Sequence, residues 1–192
     1  GGVTVANISA TDFLLVDVRN GDLEVAGAIS SSEGNIYLSA NDMTIGATVS
    51  TEAGDIYVFD NYKGINLGGT DPGLSLDAAE LALLQADEDN ALIIGMGNKY
   101  DPATDIKNDM GALDTSSKTT TQNINQIGAA EAGSKNVGII TQAAITRTGD
   151  DSYLTIEDGG SLALLADNKA LLADNKGIDF GLTGSIDLAA FN

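Results

Sequence analysis

The chain has 192 residues, a length that suits one domain with a sizeable core. Its 28 acidic and 9 basic residues give a formal net charge of −19, a surface that repels phosphate backbones and anionic lipid and argues against nucleic acid or membrane as partners. The absence of cysteine and histidine excludes disulfide, thiolate and zinc-thiolate chemistry and removes the usual general base, which weighs against an enzyme. No stretch holds the roughly 18 apolar residues that a membrane-spanning helix needs, and no basic and apolar export signal stands at the front. A chain that begins at Gly1 rather than Met is expected to be a mature product or an excised piece.

Residues 1 to 61 read as one sentence repeated. Asp22 to Asn41 (DLEVAGAISSSEGNIYLSAN) runs without a gap into Asp42 to Asn61 (DMTIGATVSTEAGDIYVFDN), and a shift of 20 places Leu23 on Met43, Val25 on Ile45, Ile29 on Val49, Gly34 on Gly54, Ile36 on Ile56 and Tyr37 on Tyr57. The same shift carries Val3 and Val5 onto Leu23 and Val25, and Val16 and Val18 onto Ile36 and Leu38. Apolar residues within a copy alternate with a period of two, as strands do. Gly27, Gly34, Gly46, Gly54, Asn41 and Asn61 fall between the runs, where a corner with φ > 0 favours Gly or Asn. A strand and its turn need roughly six to seven residues, so each repeat has room for three strands and three corners. Repeats of this size bury their apolar faces only against their neighbours. The expected fold is all-β: a parallel β-helix (β-solenoid) with coils of about 20 residues.

Further along, the shift places Ile65 on Ile45 and Leu76 on Ile56, and Gly68 to Gly73 forms a turn cluster. AAELALLQA (78–86) is rich in helix formers, as is SLALLADNKALLADNK (161–176) with its tandem ALLADNK; both are read as strands of the solenoid, with short helices as the alternative, in which Leu164, Leu165, Leu171 and Leu172 would share one face. From 98 to 126 the pattern lapses into a polar stretch with Asp101-Pro102 and a Ser/Thr run, the signature of a loop insertion leaving the stack at a corner. The single solenoid domain thus divides into coils at 1–97, an insertion at 98–126 and coils at 127–192. About eight coils at ~4.8 Å per layer give roughly 40 Å of stack. GGVTV opens directly on a strand and DLAAFN ends on one, so the terminal coils are expected to present uncovered edges.

The G-[ND]-I-Y-[LV] strands at 34–38 and 54–58, SLDAAELALL (75–84) followed by LIIG (92–95), and GSIDLAAFN (184–192) resemble the repeat region of filamentous haemagglutinin-like adhesins, the long secreted β-helical proteins of bacteria. The resemblance covers most of the chain outside the insertion. It implies a right-handed helix, an extracellular or cell-surface location and a role in attachment. That family's secretion domain carries an Asn-Pro-Asn motif, which this chain lacks, so the resemblance is to shaft rather than secretion head.

No catalytic, cofactor-binding or metal-binding residue is assigned. Tyr37 and Tyr57 are expected to point outward, stacked one layer apart beside Asp17 and Asp77 in one column, either stabilising neighbouring strands or binding sugar faces. Asp87-Glu88-Asp89-Asn90 starts like a calcium loop, but Ala91 and Leu92 stand where an EF-hand needs a ligand and a glycine, which makes it a solvated acidic corner. Asp101, Asp105 and Asp109 are spaced by four and would share one face of a helical turn; a solvated loop is the plainer account. No cofactor is expected, calcium being the single weak candidate that an acidic surface offers. Gly128 to Lys135 imitates a phosphate loop with its last two residues exchanged, an order that places no hydroxyl after the lysine to bind magnesium. A polysaccharide-cleaving site would need carboxylates beside Arg19 or Arg147, and no acidic pair aligns with either. The function expected is a rigid shaft, with a head-to-tail filament subunit and a glycan-binding or glycan-cleaving module as alternatives. The partners implied are its own coils or copies end to end, and matrix glycans.

Overall fold

A computed structural model describes residues 1–60, 65–67, 73–96, 122–124, 133–141, 145–147, 161–166 and 178–179. The described chain is all-β, with parallel sheets and one short helix. Strands β1 (Val3–Val5), β2 (Ile8–Ala10) and β3 (Leu14–Asp17) are followed by β4 (Asp22–Val25), β5 (Ile29–Ser31) and β6 (Ile36–Ala40), then by β7 (Asp42–Ile45), β8 (Val49–Thr51) and β9 (Ile56–Asp60). The chain visits three parallel sheets in rotation, so β1, β4 and β7 are neighbours, as are β2, β5 and β8, and β3, β6 and β9. Next come β10 (Ile65–Leu67), β11 (Leu74–Leu76), helix α1 (Ala78–Ala82), β12 (Leu84–Gln85), β13 (Ala91–Met96), β14 (Gln122–Ile124), β15 (Asn136–Thr141), β16 (Ile145–Arg147), β17 (Ser161–Ala166) and β18 (Ile178–Asp179). One sheet runs unbroken from β3 through β6, β9, β13 and β15 to β17.

The pairing stacks like on like. Leu14, Ile36, Ile56, Leu92 and Val137 form one continuous register column, and Val16, Leu38, Val58, Ile94 and Ile139 form the next. With Leu23, Val25, Ile29, Met43, Ile45 and Val49 from the other two sheets they make one contiguous core. Burying a side chain of this size is worth about 1.5–3 kcal/mol, and alternation of apolar and polar residues along β4 and β7 keeps the other face in solvent.

The twenty-residue shift predicts the register of β1 on β4 and of β4, β5 and β6 on β7, β8 and β9, but not that of β3 on β6, where Leu14 and Val16, rather than Val16 and Val18, pair with Ile36 and Leu38. Equal circuit lengths hide unequal corners. Ala6-Asn7 turns between strands with two residues where Ala26-Gly27-Ala28 uses three, and Asn7 closes the shorter corner in the left-handed region at φ 55°. That conformation was expected at Gly27, Gly34, Gly46 and Gly54, yet among the described residues only Asn7 and Gly73 have positive φ. Close approach explains the glycines instead: a Cβ on Gly34 would lie 1.3 Å from the carbonyl oxygen of Asp12, and one on Gly54 would lie 2.5 Å from that of Gly34.

Three more expectations are corrected or completed. Ile65 pairs with Leu74 and Leu67 with Leu76, while the partner of Ile56 in the following circuit is Leu92, so Ile65 and Leu76 do not continue the Ile45 and Ile56 columns. In 78–86 only Leu84–Gln85 is strand. Ala78–Ala82 is helical because Asp77 and Glu80 form a reciprocal capping box that reinforces the intrinsic preference of Ala, Leu and Glu. Ser161–Ala166 is a strand, Gln122–Ile124 forms a further strand between β10 and β16, and the rest of 98–121 and of 167–176 lies outside the described residues.

Replacing Ile56, fully buried between Ile36 and Leu92, by Asp is expected to destabilise the protein by more than about 4 kcal/mol, since an unpaired carboxylate would sit between layers. Ile56→Ala is expected to cost about 2–5 kcal/mol through cavity formation. Chemical denaturation of both variants checks the register; an unchanged midpoint for Ile56→Asp contradicts it.

Candidate functional site

The outward face of the long sheet carries the most organised side chains of the described chain. Tyr37 and Tyr57 occupy equivalent places in β6 and β9, one layer apart, and their rings stack with centroids 4.8 Å apart and planes 7° from parallel. Phe59 lies tilted against Tyr57 at 5.9 Å, and Leu15 and Ile93 pack at either end of the cluster. The residues before each strand hold the rings in place. Asn35 donates its amide to the Tyr37 hydroxyl at 3.0 Å, and the Tyr57 hydroxyl donates to Asp55 at 3.0 Å. The same two residues tie successive circuits together, because Asn35 Oδ1 accepts from Asp55 N at 2.8 Å and Asp55 Oδ1 from Ala91 N at 2.9 Å. The [ND] of the G-[ND]-I-Y-[LV] pattern is therefore a vertical clamp.

The ladder is stacked and outward, as its alternation with Ile36 and Leu38 predicts, but it is covered. Tyr37 is 2% and Tyr57 6% exposed, so neither ring offers a free face to a sugar. Its column also differs from the expected one, since Leu15 stands below Tyr37 and Ile93 above Tyr57, whereas Asp17 pairs with Ser39 and Asp77 caps α1. Burial pushes the Tyr57 phenol far above its ordinary value, and the Asp55 carboxylate, which accepts its proton and repels the phenolate, pushes in the same direction.

The other candidates resolve into structural roles. Asp87 to Asn90 is a turn at the surface, closed by Asn90 N donating to Asp87 O at 2.9 Å, with Lys135 Nζ 4.0 Å from Glu88. Among the described residues no group of three or more acidic side chains is gathered closely enough to hold a metal ion. Ser134 of the phosphate-loop imitation is fully buried; its hydroxyl donates to Leu84 O at 2.6 Å and accepts from Ala86 N at 2.8 Å, which makes it a pin between circuits. Arg19 pairs with Asp17 at 2.9 Å. Asp101, Asp105, Asp109, Gly128 and the side chain of Arg147 lie outside the described residues.

Sequence reasoning overlooked a column of buried hydroxyls. Ser31 donates to Asp12 O at 3.0 Å and accepts from Gly34 N at 3.3 Å, and its register partner Thr51 donates to Gly54 O and accepts from Asp87 N. The signal available was the hydroxyl three residues before each repeated glycine, in Ser31 to Gly34 and Thr51 to Gly54. Comparison with known proteins finds no matching family model, no matching curated protein and no matching solved structure.

Because the folded pKa of Tyr57 is raised, its contribution to stability is fully present below the unfolded phenol value of about 10 and is lost as pH rises from there toward the folded value. Tyr57→Phe is expected to cost about 1 kcal/mol at neutral pH, from the bond lost to Asp55. It is also expected to flatten the fall in stability between pH 9 and 11. Urea denaturation across that range, parent against variant, reads both effects; equal slopes contradict the assignment.

Proposed function

We propose that the chain is a length of right-handed parallel β-helix acting as a rigid, non-catalytic shaft in an extracellular bacterial surface fibre of the filamentous haemagglutinin-like kind. The observation that carries this reading is the unbroken register of the long sheet, in which equivalent residues stack from Leu14 through Ile36, Ile56, Leu92 and Val137. A stack tied by main-chain hydrogen bonds and filled by apolar columns resists bending, and work done by length and stiffness needs no reactive group. The acidic surface supports the same reading, because it keeps a long apolar-cored rod dispersed.

A second reading, a subunit stacking head to tail, draws on the open edges of β1, β2 and β3, each of which ends its sheet, with Val3 43% and Phe13 38% exposed. Such edges are covered either by further polypeptide of the same chain or by the next molecule. Negative-stain electron microscopy over a range of concentrations, with and without calcium, tests both readings. Monodisperse rods of roughly 40 Å, from about eight layers at ~4.8 Å, are expected for a shaft segment and long fibres of uniform width for a subunit. Compact globules would overturn both.

A further inference from the structure

The corner from β3 into β4 is the one the repeat leaves unexplained. Four residues, Val18 to Gly21, cross it, where Asn41 alone joins β6 to β7. It closes on Asn20-Gly21, and no other Asn-Gly pair occurs in the chain. Gly21 has a packing reason to be glycine, since a Cβ there would lie 1.7 Å from the carbonyl oxygen of Gly1 in the first circuit, while its own carbonyl accepts from Asn41 N at 2.9 Å in the third. Nothing of the kind accounts for Asn20. It is exposed, its φ is not positive, and among the described residues its side chain makes no hydrogen bond, nor does the N–H of Gly21.

Other asparagines of the described chain are held or shielded. Asn35 Nδ2 donates to Tyr37 Oη at 3.0 Å, and Asn136 Nδ2 to Glu88 O and Asn90 O at 3.0 Å each. Both residues precede a β-branched one, Ile36 and Val137, whose branched Cβ crowds the backbone nitrogen that bears it. Asn20 combines a free amide with a neighbour that has no Cβ at all. In that pairing an asparagine side chain and the next backbone nitrogen can react with each other.

We propose that Asn20-Gly21 is a self-modifying site, at which the chain slowly deamidates and thereby loosens its second circuit from the two beside it. The Gly21 nitrogen attacks Cγ of Asn20; the bond from Cγ to the side-chain nitrogen breaks, and ammonia departs with the proton that the Gly21 nitrogen gives up, leaving a cyclic imide. Water then opens the ring. Addition at Cγ yields aspartate, whereas addition at the main-chain carbonyl moves the peptide link onto Cγ and yields isoaspartate; in both cases water supplies the carboxylate oxygen and the nitrogen recovers a proton. Either product adds one negative charge between Asp17 and Asp22, and isoaspartate also lengthens the backbone by one carbon, about 1.5 Å. Gly21 has little room to absorb that length, because Gly1 lies directly against it, and its bond to Asn41 N depends on where its carbonyl stands.

Ageing the full chain in mildly alkaline buffer tests this, with peptide mapping by mass spectrometry and isoaspartate counted by enzymatic methyl transfer from S-adenosylmethionine. Asn20 is expected to convert at least tenfold faster than Asn35, Asn90 or Asn136, and no more than tenfold slower in the folded protein than in the urea-unfolded chain. A smaller lead over those three, or a fold that protects Asn20 by more than tenfold, overturns the proposal. Asn20→Gln, whose longer side chain does not close the same ring, is expected to stay unmodified. Ala26 N–H and Asn41 N–H bridge neighbouring circuits, donating to Val5 O at 2.8 Å and Gly21 O at 2.9 Å. Their hydrogen exchange is expected to quicken at least tenfold in the aged parent and to stay unchanged in aged Asn20→Gln. Equal exchange in the two aged proteins would mean that the corner absorbs the added carbon, and overturns the loosening.

Discussion

Parallel strands one circuit apart lie about 4.8 Å from one another, and that distance governs the rest of the molecule. Every residue must tolerate its own equivalent directly above and below. Ile36 and Ile56 meet this demand by packing, Gly34 and Gly54 by having no side chain where the next backbone passes, and Asn35 and Asp55 by reaching up to the N–H of the following circuit. Tyr37 and Tyr57 meet it with flat rings, whose 4.8 Å centroid distance is the layer spacing itself. The repeat in the sequence is thus the imprint of one spacing on four different kinds of side chain.

The corners pose the opposite problem, because chain reversals leave N–H and C=O groups without ladder partners, and buried ones are costly. Ser31, Thr51 and Ser134 answer it with hydroxyls that donate to one circuit and accept from the same or a neighbouring one. Glu80 is the extreme case, accepting from Asp77 N and Ile45 N where α1 displaces the ordinary strand. Burial raises its pKa despite these two bonds, with the charges of Asp77 and Asp42 adding to the effect.

What could be read from the sequence was whatever repeats with period two or twenty: the strands of the first three circuits, their inward residues and the outward tyrosines. What could not be read depends on differences between copies. The β3 register was hidden because shorter corners at Ala6–Asn7 and Thr11–Phe13 and a shorter strand β3 are offset by a longer corner at Val18–Gly21 within the same total. The helix at Ala78–Ala82 turned on one reciprocal cap, Asp77 with Glu80, against a strong strand pattern on either side. The cover over the tyrosines could not be read at all, since alternation tells which face a side chain takes and not whether that face meets water.

Charge bears on the shaft reading through its cost. Asp22 and Asp42 sit directly opposite each other on an exposed face, and like charges paired across strands destabilise a sheet. A net charge of −19 adds self-repulsion to that local cost. On the shaft reading the compensation lies between molecules: rods lying side by side present the same strongly acidic surface to one another, which keeps copies apart along the whole length. On the head-to-tail reading, contact through the open edges of β1, β2 and β3 would be affected least, because ladder bonds act over a few ångströms while repulsion between more distant charges is screened beyond about 8 Å at physiological salt. Lateral repulsion combined with axial stickiness is the physical requirement for an unbranched fibre, whether its axial contacts are made within one long chain or between copies.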